Sequence, residues 1–152
     1  MQQRSLRSAL VGSLFILVIA ASVLGWSLSH QARHAEAAGN VFPYPSCTWG
    51  AAQEYHTLHG VWVPWHTQAD AYQWTARAYQ YHWHVSKKAH LGAIINLQPW
   101  VQGAFRLGHV EVVTKVYKDG SVLATGTSWG RNIYAWTPWH FYPGRGVTFL
   151  WK

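Results

Sequence analysis

The chain divides by pattern before any single residue is considered. Residues Ala9 to Trp26 form an uncharged, mostly apolar run of 18 residues. Arg4 and Arg7 precede it, and small residues around Ala35-Glu36-Ala37 follow. This is the layout of an export signal. The run exceeds the roughly 7–15 residues of a typical signal peptide and approaches the roughly 20 that span a bilayer. Two outcomes therefore stand, a cleaved signal peptide or a retained membrane anchor over residues 1–37. Either leaves the basic end inside and residues 38–152 outside.

Beyond residue 38 the pattern is that of a folded domain. Pro43-Tyr44-Pro45 stiffens an extended lead-in, and Ser46 stands as N-cap to a helix that Cys47 opens and Gly60 ends. Gly50 weakens that helix by about 1 kcal/mol relative to Ala. A second helix is signalled by Thr67 as N-cap with Asp70 three residues on, and its Tyr72, Ala76 and Tyr79 stripe is expected to face the core. The period then shortens to that of strands, over Gly92–Leu97, Gly108–Tyr117, Ser121–Trp129 and Val147–Trp151. Lys118-Asp119-Gly120 joins two of these as an antiparallel hairpin. Helices first and strands second predict an α+β domain, N-terminal helices packed on an antiparallel sheet.

Length and composition narrow the chemistry. At 152 residues the chain has room for one core. Aromatic residues reach 16% with eleven Trp, while charged residues are only 11%, so some rings must lie on the surface. Residues 38–152 carry nine Lys and Arg against four acids. Such a diffuse positive field suits an anionic cell-wall polymer, or lipid headgroups if the N-terminal segment stays in the membrane. Export argues against nucleic acid. Nothing in the pattern speaks to oligomeric state.

Exported domains of this size use cysteines in pairs, yet Cys47 is alone. At a helix start, unsatisfied amides and the macrodipole favour a thiolate, so a lowered thiol pKa is expected, with the same amides available to an oxyanion. The alternative is a buried Cys acting as a small hydrophobe. On the strand from Gly108, His109 and Glu111 share one face and Val110 and Val112 the other, and only the valine face reads as core. His109 is suited to be the base for such a thiol. His56 with His59, at i, i+3, and His82 with His84 are pairs that could hold a metal. No HExxH, no Cys pair and no acidic loop completes a site, so neither a metal nor another cofactor is expected.

These segments resemble the CHAP family, the cysteine, histidine-dependent amidohydrolases and peptidases. The resemblance runs from Tyr44 to Leu150 and rests on Cys47-Thr48-Trp49, Gly92-Ala93-Ile94-Ile95, Gly108-His109-Val110 with Val112-Val113, Asp119-Gly120-Ser121 and Trp129-Gly130, in that order. It implies a papain-like fold in which Cys47 attacks an amide of peptidoglycan and His109 takes the proton. The family commonly orients its histidine with Glu or another polar residue on the strand after the hairpin, and places Asn two positions on. Here those positions are Gly126 and Ser128. Ser128 is the candidate orienting residue, and Glu111 serves if its side of the strand reaches the ring. Ser46 departs from the Gln or Asn that relatives often carry before the cysteine. Trp49, Trp65, Trp100 and Trp129 are the candidate substrate-binding rings. Gly126 keeps a second reading open, a catalytically impaired module that binds the wall. Transpeptidation shares the chemistry of the first.

Overall fold

In the computed structural model, residues 39–152 are described, Gln68 excepted. The apolar run Ala9–Trp26, expected to act in export, and the Ala35–Ala37 step lie outside the described residues.

Helix α1, Cys47–His59, begins and ends where its capping residues predict. The Ser46 side chain accepts from the Trp49 amide, and Gly60, at φ 68°, turns its own amide back to the His56 carbonyl. Gly50 has a packing reason. A Cβ there would stand 2.3 Å from Thr127 Oγ1 and 2.7 Å from Thr127 N. The missing side chain lets the helix lie against the segment after β4, where the Thr127 hydroxyl donates to the Ser46 carbonyl at 2.9 Å. The first turn of α1 is thereby tied to the sheet.

The second helical segment opens later than the Thr67 signal predicts. Asp70 is its N-cap, and the Asp70 amide donates to Gln73 Oε1 at 3.0 Å. A 3-10 turn over Ala71–Gln73 leads into α2, Trp74–Gln80. The expected core stripe is corrected as well. Tyr72 and Tyr79 are exposed, as is Ala76, while Ala71, Trp74 and Ala78 are buried.

Six strands follow: β1 His84–Ser86, β2 Ile94–Leu97, β3 His109–Val116, β4 Val122–Gly126, β5 Thr137–Phe141 and β6 Val147–Trp151. They form one antiparallel sheet in the order β1-β6-β2-β3-β4-β5. The third predicted strand is shorter than expected and ends at Gly126, not Trp129. Strands β1 and β5 were not foreseen. Two helices on an antiparallel sheet make the domain α+β, as the pattern predicts.

Both faces of the sheet are buried. Ile94, Val110, Val112 and Leu150 meet Ala51, Ala52 and Tyr55 of α1 and Trp74 and Ala78 of α2. Ile95, Leu97, Val113, Ala124, Phe141 and Phe149 form the second cluster, joined by Ala104 and Val101 of the loop after β2. The His109–Glu111 side of β3 is thus as buried as its valine side.

Candidate active site

The geometry begins at the start of β3. Gly108, at φ 72°, leaves no room for a Cβ, which would stand 2.5 Å from the Leu97 carbonyl oxygen and 2.9 Å from Tyr72 N. The next residue is His109, 4% exposed, on a strand held by β2 on one side and β4 on the other. Beneath it, the Asn96 side chain donates to the Ala71 carbonyl at 2.6 Å and accepts from the Thr75 hydroxyl at 2.6 Å. Strand β2, which pairs with the strand that carries the histidine, is thereby joined to the 3-10 turn and to α2 by a side chain with no exposure.

Cys47 is a half-buried free thiol at the first position of α1. Three backbone amides favour its anion, those of Val110, Thr48 and Cys47 itself. The first is the one that matters for function, because the His109–Val110 peptide unit supplies that amide. The structure therefore brings the helix-start sulfur to the backbone beside the predicted base. Charge does not follow the expectation of a depressed pKa. Desolvation outweighs the three amides, and the thiol is pushed up to about 11. It rests as a neutral thiol.

His109 Nε2 lies 3.0 Å from Glu111 Oε1. Among the described residues no hydrogen bond joins the imidazole to Ser128. It sits at φ 63° beyond the end of β4, with its amide donating to the Ile133 carbonyl. The two-residue spacing puts Glu111 and His109 on one face of β3. Gly126 then becomes intelligible. Since Val112 pairs with Thr125, Glu111 lies across from Gly126, and a Cβ at Gly126 would stand 2.8 Å from Glu111 Cγ. The absence of a side chain on β4 is what admits the carboxyl on β3.

Burial governs both members of this pair. It pushes the imidazole down to about 3 and the Glu111 carboxyl up to about 9. Among the described residues, Glu111 Oε2 has no hydrogen-bond partner.

The candidate rings separate into three groups. Trp129 lies on the imidazole, centroid to centroid 4.3 Å. Trp49 is half-buried two residues after the thiol and contacts Tyr44 at 4.7 Å and Trp136 at 6.0 Å. Tyr44 in turn meets Tyr134 at 6.0 Å. Tyr44, Tyr134 and Trp136 are exposed, so they form an aromatic rim beside Cys47 that the motif segments alone do not reveal. Trp100 is 73% exposed on the loop after β2. Trp65 is corrected to core: it is 1% exposed and packs against Trp74 and Trp83. Of the histidines weighed as metal ligands, His56 stacks on Trp62 and His59 bonds the Gly92 carbonyl.

The fold thus carries a thiol at a helix start, near the Val110 amide, and a carboxyl-held imidazole at the adjoining strand start, on an α+β scaffold. The chain belongs to the CHAP domain family, whose model matches residues 37–128. Among solved structures it is similar to an N-acetylmuramoyl-L-alanine amidase from Staphylococcus aureus, with a TM-score of 0.66 and 21% identity. That match covers 76% of this chain but only 33% of the amidase, so the chain spans a third of that protein's length. No curated protein matches the chain.

Proposed function

We propose that the protein is an exported cysteine hydrolase that cleaves amide bonds of peptidoglycan. The observation that carries this reading is the placement of the Cys47 sulfur at the Val110 amide, next to an imidazole whose Nε2 is held by Glu111. The family and the amidase neighbour point to the same substrate class. The apolar run from Ala9 to Trp26 would deliver the domain to that substrate outside the cytoplasmic membrane.

The thiol is neutral at rest, so proton transfer and attack belong together. Cys47 Sγ adds to the amide carbonyl as His109 takes the thiol proton, and the resulting imidazolium is held through Nε2 by Glu111. The amides that favour the Cys47 thiolate would also donate to the oxyanion that forms beside it. The Ser46 hydroxyl is engaged with the Pro43 carbonyl at 2.6 Å, the Trp49 amide and Thr48. It therefore contributes by capping the helix, not by donating to the oxyanion. Collapse of the intermediate sends the proton from His109 to the departing amine, and water, deprotonated by the same imidazole, releases the thioester. Trp49 and its aromatic neighbours offer flat faces for sugar rings or the stem peptide.

The test is digestion of purified peptidoglycan, followed by mass spectrometry of the soluble fragments. The wild-type chain is expected to release fragments with new amino termini, and Cys47→Ala to release none. Alanine at the new terminus identifies the muramoyl–alanine amide, and another residue identifies a peptide cross-link. Wild-type protein that binds the wall and releases nothing would overturn the proposal.

A further inference from the structure

The pair His109–Glu111 holds more information than an orienting contact. We propose that Glu111 is a positioning residue whose own proton decides which nitrogen of His109 is free, so that the site is competent only when Glu111 is ionised. This deepens the functional reading above and rests on it for its consequence in catalysis, although the proton arrangement itself does not depend on any substrate.

The geometry comes first. Glu111 has no solvent exposure and, among the described residues, a single hydrogen-bond partner, His109 Nε2 at 3.0 Å, while its second oxygen has none. An ionised carboxylate left this way has one oxygen uncompensated in a dry setting, which is costly. A protonated carboxyl removes that cost. Its neighbours supply no positive charge: Ile95 pairs with it from β2, Gly126 faces it from β4, and Trp129 covers the imidazole. From α1, Cys47 is the titratable group that senses it, and Glu111 raises the thiol pKa further. Burial alone pushes the carboxyl up to about 9.

The chemistry follows from counting protons. A protonated Glu111 donates its O–H to Nε2, so the neutral ring carries its hydrogen on Nδ1. With Nε2 occupied and Nδ1 protonated, the ring has no lone pair to accept a proton from Cys47. When Glu111 loses its proton to solvent, the carboxylate accepts from Nε2–H instead. The ring hydrogen has then exchanged from Nδ1 to Nε2, and Nδ1 is a base. One proton leaves in all, and no other group changes charge. Glutamine at position 111 offers an amide oxygen to Nε2–H and has no proton to lose, so it holds the ring in the competent tautomer throughout.

The experiment uses the full chain with nitrogen-15 histidine, and follows the His109 ring shifts between pH 6 and 10 in wild type and Glu111→Gln. His109→Gln identifies the signals. Wild type is expected to cross from the Nδ1–H to the Nε2–H tautomer with a midpoint near pH 9, and Glu111→Gln to show Nε2–H across the range. A wild-type ring already in the Nε2–H form at pH 7, or the same crossing in Glu111→Gln, would overturn the proposal. Should the variant not fold, carbon-13 carboxyl shifts of Glu111 in wild type decide: a midpoint shared with the tautomer crossing supports it, and separate midpoints overturn it. Wall hydrolysis supplies the functional arm. Wild-type kcat/KM should rise nearly tenfold from pH 7 to 8 and roughly 50-fold from pH 7 to 9, where it reaches half its limit, while Glu111→Gln stays flat. An equal rise in both would overturn the proposal. An intact tautomer crossing without hydrolysis at any pH would defeat the functional reading and still support the tautomer control proposed here.

Discussion

At the scale of the residue, the informative position is a glycine. Gly126 stands where the family resemblance places an orienting side chain, and that substitution taken alone suggests a disabled site. Placed in the sheet, it is the complement of Glu111, whose Cγ would stand 2.8 Å from a Cβ at that position. Gly126→Ala is therefore expected to destabilise the domain by about 1–3 kcal/mol, the usual cost of forcing extra volume into a packed interior. Urea unfolding measures this, and an unchanged midpoint would mean that Glu111 has freedom the structure does not show. The same substitution should slow hydrolysis, because the carboxyl that moves is the one bonded to His109. Glu111 was legible in the sequence only as a side of a strand shared with His109. That a carboxyl would be fully buried there was not, since burial of that face depends on residues as distant as Phe141 and Phe149. Cys47 shows the reverse case. Its helix-start amides were readable from Ser46 and the residues that follow, whereas the desolvation that outweighs them depends on the tertiary packing around the thiol.

At the scale of the element, capping and packing compete in α1, and magnitudes decide between them. Removing the Ser46 cap in Ser46→Ala should cost about 1 kcal/mol. Gly50→Ala offers a comparable gain in helix propensity, about 1 kcal/mol, yet its Cβ would stand 2.3 Å from Thr127 Oγ1 and 2.7 Å from a backbone nitrogen. A side chain can turn away, but that nitrogen belongs to the chain just after β4. Gly50→Ala is accordingly expected to lower stability despite the better helix former, and a raised melting temperature would refute this. The caps of α1 were plain in the sequence because Ser46 and Gly60 act locally. In the second helical segment Tyr72-Ala76-Tyr79 and Ala71-Trp74-Ala78 both satisfy helical spacing. The structure buries the set with Trp74 and leaves the tyrosines, whose hydroxyls favour water, outside. The two missed strands are the edges of the sheet. Strand β1 has three residues, and β5 contains Pro138 and is mostly exposed, so neither shows the alternation by which a strand is read.

For the whole molecule, the buried pair should dictate how stability depends on pH. His109 is held at about 3 in the fold against an ordinary 6.5, so from pH 6.5 down to 3 the unfolded chain binds a proton that the folded chain refuses. Stability falls on acidification across that window. Glu111 is held at about 9 against an ordinary 4.5, so from pH 4.5 to 9 the folded chain keeps a proton that the unfolded chain has lost. Stability falls as pH rises across that window. Between pH 4.5 and 6.5 the two slopes cancel and a plateau results. Above 6.5 the Glu111 slope stands alone, at about 1.4 kcal/mol per pH unit. Cys47, raised from 9 to about 11, then continues the decline once the Glu111 window has closed. On the acid side Asp119 adds to the loss, because hydrogen bonds from Ser121 hold its carboxylate below the ordinary value of 3.8 and that contribution disappears as pH falls through the lowered pKa. Urea unfolding from pH 3 to 10 should therefore trace a flat top between about 4.5 and 6.5 with losses on both sides. Glu111→Gln should flatten the alkaline side between 6.5 and 9 and leave the His109 slope to run up to 6.5, moving the optimum toward neutrality. A wild-type optimum at pH 8 would contradict the pairing, since it would require Glu111 to be ionised in the fold at a pH where its burial, its single partner and the glycine opposite all favour the neutral acid.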